Sequence, residues 1–168
     1  MRTIIKRNIA WLIFAITAAI LLVCDIWLKI WIAAHWNNLE DDRVLIKGIL
    51  GLTYRKNTGA AFSFLADFNG ARWVLSILVA ITLAAILWYY SRLPDKSIFW
   101  FIRVPVIFIF TGGLGNLIDR ISLGYVRDML EFLFFDFPIF NLADAYVTCG
   151  VFALVFVGIF IVKDFPFP

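Results

Sequence analysis

Four stretches of the chain, residues 10–34, 73–90, 98–118 and 139–162, are nearly unbroken runs of apolar side chains, and the polar residues gather between them. Each run is long enough to cross a hydrocarbon core of roughly 30 Å as a helix. The pattern predicts four transmembrane helices. Residues 35–72 and 119–138 are broken too often by charge and glycine to span, and 91–96 is a tight connection. Inside the first of these segments, Val44 to Tyr54 is rich in β-branched and large apolar residues around Gly48 and Gly51. Such a stretch predicts short strands or a hairpin lying on the membrane surface. The expected fold is an all-α integral membrane bundle of four helices with a small β-rich platform between the first two. No linker, low-complexity tract or repeat divides it, so residues 1–168 are expected to form one membrane domain.

Composition agrees with this reading. Of 168 residues, 63% are hydrophobic and 16% charged, whereas about half the residues of a soluble domain are apolar. The net charge of +3 is spread over dispersed Lys and Arg residues. Contact with membrane lipids explains it, and nucleic-acid binding is not expected. The basic start of Arg2, Lys6 and Arg7 resembles a secretory signal, but the apolar run continues to Ala34, so it is read as a retained span. Four spans put both termini on one side, and that basic start favours the inside. Trp27, Trp31 and Trp36 fit an interfacial aromatic belt, and Arg103 is expected to snorkel to the headgroups. Cys24 and Cys149 lie in apolar runs without metal or redox spacing, and no catalytic role is expected of His35.

Chemistry is concentrated between Gly112 and Asp144. There Asn116, Asp119, Arg120, Asp128, Asn141 and Asp144 stand between two apolar runs, where a charge is costly unless paired or wetted. The topology brings them to the membrane face opposite the termini, together with Asp25 and Lys29 at the far end of the first span. Asp25 and Lys29 are four apart, as are Asn116 and Arg120, while Asn141 and Asp144 are three apart, so each pair shares a helical face. Pro138 is expected to restart the fourth helix. Asp128 and Asp144 are the candidate reactive acids. Two carboxylates about 3 Å apart share a proton, leaving one as a base for water and the other as an acid toward a carbonyl oxygen. No metal or other cofactor is expected, because the single His and the separated Cys residues offer no zinc site. Spacing alone leaves two readings open, an aspartyl hydrolase and a small proton- or ion-coupled transporter using the same acids.

Five motifs in order narrow the choice. They are Asp25-x-x-x-Lys29, Asn57-Thr58-Gly59-Ala60-Ala61-Phe62-Ser63, Gly115-Asn116-Leu117-Ile118-Asp119-Arg120, Val126-x-Asp128 and Phe140-Asn141-x-Ala143-Asp144. Over essentially the whole chain this set resembles the lipoprotein signal peptidase, or signal peptidase II, family. The resemblance implies an aspartyl endopeptidase of the bacterial inner membrane with cytoplasmic termini and an active site near the periplasmic face. Its implied substrates are prolipoproteins cut just before a diacylglyceryl-modified cysteine, and a monomer is expected. It implies Asp128 and Asp144 as the catalytic pair. Asp25, Lys29, Asn57, Gly59, Asn116, Asp119, Arg120 and Asn141 follow as supporting or substrate-binding positions, and 35–72 as a strand platform with a mobile lid. Arg120 is a candidate partner for Asp119 or for the substrate backbone. Two departures stand out: Ala145-Tyr146 after Asp144, and Arg127 beside Asp128, which would lower that carboxylate's pKa if it turned inward.

Overall fold

In a computed structural model, residues 2–36, 43–58 and 70–162 are described. They hold four α-helices, α1 (Arg2–His35), α2 (Ala71–Arg92), α3 (Trp100–Leu123) and α4 (Leu142–Phe160), and three strands, β1 (Arg43–Ile46) and β2 (Leu50–Asn57) between α1 and α2, and β3 (Val126–Phe132) between α3 and α4. Four helical stretches are long and apolar enough to cross a membrane: Arg7–His35, Arg72–Arg92, Ser97–Leu123, which takes in the short 3-10 turn Ser97–Phe99 ahead of α3, and Leu142–Phe160. The third is half buried within the protein and the others about a fifth. Helix α3 is therefore the central one, with α1, α2 and α4 packed around it.

Small residues let the helices close on α3. A Cβ on Gly112 would stand 2.2 Å from the carbonyl oxygen of Ala143 on α4, and one on Gly115 would stand 2.5 Å from Asp25 Oδ2 on α1. Backbones this close are the usual device for joining helices where lipid supplies no hydrophobic drive. The outward faces stay apolar and exposed, as at Val23, Ile81, Phe152 and Phe160.

Where the helices end depends on single residues. Helix α3 runs past 118 to Leu123, so that Asp119 and Arg120 are helical, and stops at Gly124. Gly124 has φ +86° and donates its amide to the Arg120 carbonyl at 3.1 Å, a left-handed cap that glycine adopts without a side-chain penalty. Helix α4 begins at Leu142, not at Pro138, because Asn141 is its cap. Its side chain accepts from the Asp144 amide while the Asp144 carboxylate accepts from the Asn141 amide, a reciprocal box that satisfies two otherwise orphaned donors.

The expected β-rich platform is an antiparallel sheet in the order β1-β2-β3. Two strands come from between α1 and α2, and the third from the segment after α3. Strand β3 pairs with β2 from Leu50↔Phe132 to Asn57↔Val126, and Leu130 bridges Phe140 on its other side. Ile32 of α1 and Trp36 just beyond its end pack with Leu52, Tyr54 and Met129, which seats the sheet on the end of the bundle. At the opposite end Arg103 reaches the connection between α2 and α3, where Asp95 Oδ1 lies 3.4 Å from its Nη2. It is 4% exposed, donates to the Leu93 carbonyl at 2.8 Å, and lies over the rings of Tyr90 and Trp100. The Asp95 carboxylate, the Leu93 carbonyl and the aromatic faces together satisfy the buried guanidinium.

Candidate active site

The two acids reach one place from different elements. Asp128 sits on β3, and Asp144 in the first turn of α4. Asn141 holds both. Its side-chain amide donates to Asp128 Oδ1 at 2.7 Å, and its backbone amide to Asp144 Oδ2 at 3.0 Å. The remaining oxygens are held by neutral amides as well: Asn57 donates to Asp128 Oδ2 at 2.9 Å and Asn116 to Asp144 Oδ1 at 2.7 Å. All four carboxylate oxygens are thus oriented by amides without being neutralised by them.

Behind the acids lies a layer of full charges. Lys29, wholly buried, contacts Asp25 Oδ2 at 2.8 Å, Asn116 Oδ1 at 3.0 Å and Asp119 Oδ2 at 3.7 Å. The other oxygen of Asp25 accepts from the Ala143 amide at 3.0 Å. Asp119 is gripped by Arg127, whose backbone amide and Nε donate to Oδ2, each at 3.1 Å, and whose Nη2 donates to Oδ1 at 2.6 Å. Two cations face two carboxylates in this layer, so its charges cancel, which is the condition for burying them at tolerable cost.

Burial, the largest influence, pushes the Asp128 carboxyl up from 3.8 to about 6. The nearby charge of Asp144 acts in the same direction, while the bonds from Asn57 and Asn141 and the charge of Lys29 oppose it. Asp128 is 3% exposed, whereas Asp144 is partly open. Both line a cavity of about 660 Å³. Arg120 shares its wall, and the rest is mainly apolar, with Leu83 and Ile86 of α2, Ile109 of α3 and Val147 of α4. Such a site can hold an apolar ligand against two carboxyl groups of unequal burial.

Of the residues singled out from the sequence, Asp25, Lys29, Asn57, Asn116, Asp119, Asp128, Asn141 and Asp144 lie in one hydrogen-bonded and ion-paired network. Arg120 lines the cavity, within electrostatic reach of Asp144 and Asp128. Asp119 is held by Arg127 and Lys29, and its helix neighbour Arg120 lies within electrostatic reach of it. Asn57 grips Asp128 itself, the placement of a supporting residue. Gly59 and the lid lie outside the described residues. The role of Arg127 was missed; the signal for it is a basic residue eight positions after Asp119 on a strand folding back over α3.

Comparison with known proteins gives a consistent picture. A family model described as signal peptidase (SPase) II matches residues 17–160. A lipoprotein signal peptidase of Streptococcus thermophilus is 41% identical over 147 residues, covering 85% of this chain and 91% of the relative. One from Streptococcus pyogenes is 37% identical over 143 residues, covering 85% and 90%. Two solved bacterial membrane enzymes, determined by the in meso method at 2.3 and 1.9 Å, superpose with TM-scores of 0.77. They are 27% and 28% identical and cover 92% and 89% of this chain, which covers 94% of each.

Proposed function

Because the chain belongs to the signal peptidase II family of membrane aspartic peptidases, we propose that it removes the signal peptide from diacylglyceryl-modified prolipoproteins, cutting before the lipidated cysteine. The observation that carries this reading is the joint anchoring of Asp128 and Asp144 on Asn141 in the wall of one largely apolar cavity.

Asp144, the more open of the two, takes a proton from water as the water attacks the carbonyl carbon of the scissile bond. Asp128, whose carboxyl burial pushes up to about 6, holds a proton and gives it to the carbonyl oxygen. The resulting tetrahedral diol collapses as one of its hydroxyl protons returns to Asp128, the C–N bond breaks, and the proton on Asp144 passes to the departing amine of the cysteine. Asn57, Asn116 and Asn141 hold the carboxylates in place through the cycle, and Arg120 faces the substrate backbone. No metal or other cofactor takes part. Apolar residues of α2, α3 and α4 around the cavity suit the signal helix and the acyl chains.

In this reading the chain is one monomeric domain of the bacterial inner membrane, its termini cytoplasmic. The sheet and the acids face the periplasm, where water and a lipid-embedded substrate meet. Membranes carrying the protein should convert a diacylglyceryl-modified precursor to a shorter species on a gel. Asp128→Asn and Asp144→Asn should each abolish conversion at unchanged protein level. Normal cleavage by either variant would remove the pair from the mechanism. A wild type that never cleaves but moves protons or ions in vesicles would establish the transporter reading instead.

A further inference from the structure

We infer that Arg127 is a positioning residue of the active site, whose grip on Asp119 sets the rotation of β3 and thereby the direction in which Asp128 presents its carboxylate. The inference rests on Asp128 being catalytic, as proposed above.

Three donors of one residue converge on one wholly buried carboxylate. Two belong to the guanidinium fork, which spans both oxygens of Asp119, an arrangement that fixes direction as well as distance. The third is the backbone amide of Arg127, so the main chain of β3 is held to α3 along with the side chain. Successive side chains on a strand point to opposite faces. Holding Arg127 against α3 therefore sends Asp128 the other way, where Asn57 and Asn141 receive it.

The grip also joins the two halves of the site. Asp119 lies 3.7 Å from Lys29, Lys29 donates to Asn116, and Asn116 donates to Asp144. A shift of β3 against α3 would move Asp128 relative to the frame that holds Asp144. Among the described residues, the side-chain hydrogen bonds of Arg127 run to Asp119 and none to Asp128. Arg127 thus acts through the strand and not by direct contact with the neighbouring carboxylate.

The test is steady-state cleavage of a fluorogenic lipopeptide by purified, folded enzyme in micelles. Arg127→Met should lower kcat by about 10- to 100-fold, the scale of a misplaced reacting group, and change KM by less than about 3-fold. Arg127→Lys keeps the charge but not the fork, and should recover part of the loss. Asp119→Asn should resemble Arg127→Met, and the double variant should be no worse than the poorer single one, because both remove one device. A stabilising role alone would leave kcat per folded molecule at the wild-type value, and that result overturns the inference, as do losses that multiply in the double variant. If Arg127→Met does not fold, Arg127→Lys decides: a reduced kcat supports the inference and a wild-type kcat overturns it. Failure of the wild type to cleave the lipopeptide would instead defeat the proposed function, and this inference with it.

Discussion

Asn57 donates its amide to Asp128 Oδ2 at 2.9 Å, and that bond opposes the burial that lifts the carboxyl to about 6. A donor to a carboxylate favours the ionised form, so losing it raises the pKa further. If Asp128 is the proton donor, cleavage should decline as pH rises through about 6, when the pair loses its shared proton. Asn57→Ala should move this alkaline limb to higher pH, whatever it does to the maximum. Profiles of kcat/KM against pH for the two proteins provide the check, and a limb that moves downward would assign the proton elsewhere. The candidate acids themselves were legible in the sequence, because charge between greasy runs is costly and the ordered motifs are specific. Their amide partners were only partly legible. Asn116 and Asn141 follow from helical spacing, whereas Asn57 reaches Asp128 only through the pairing of β2 with β3, between residues 71 positions apart.

At the scale of elements, the helices were the readable part, since a spanning run declares itself by length and hydropathy alone. Strand β3 was not. Val126–Phe132 is short and held by partners on both edges, β2 and Phe140, so its state depends on tertiary pairing that local pattern does not carry. The ends of α3 and α4 shifted for a related reason: Gly124 and the Asn141–Asp144 box decide them, not the edge of the apolar run. The α3–α4 contact gives a direct prediction. In Gly112→Ala the new methyl group would lie 2.2 Å from the Ala143 carbonyl oxygen, and the obstacle is backbone with little freedom to move. The variant should lose about 1–3 kcal/mol of stability, the usual cost of overpacking. Thermal unfolding in micelles measures it, and an unchanged midpoint would show that the two helices can separate freely.

Across the whole molecule, apolar side chains face outward while a balanced set of charges occupies the interior beneath the sheet. Lys29 is the hub, touching Asp25, Asp119 and Asn116 with none of its own surface exposed. Lys29→Met would leave two buried carboxylates short of a cation, and removing one partner of such a set costs about 3–5 kcal/mol. The variant should accumulate poorly and unfold at lower temperature. Adding Asp25→Asn should recover part of the loss, a coupling visible in the unfolding midpoints of the single and double variants. Equal stability of Lys29→Met and wild type would mean that the acids are neutral there.

The bond from the Ala143 amide to Asp25 joins positions 118 residues apart, the first helix to the last. A ribosome delivers these helices in order, so Asp25 enters the bilayer long before its partner has been made. Until α4 arrives, one oxygen of that carboxylate lacks its donor, and Asp128 lacks Asn141 and Asp144. The arrival of α4, the settling of the first span and the assembly of the proposed catalytic pair thus coincide, so on the reading proposed above a nascent chain that has not yet reached α4 has no paired acids with which to cut.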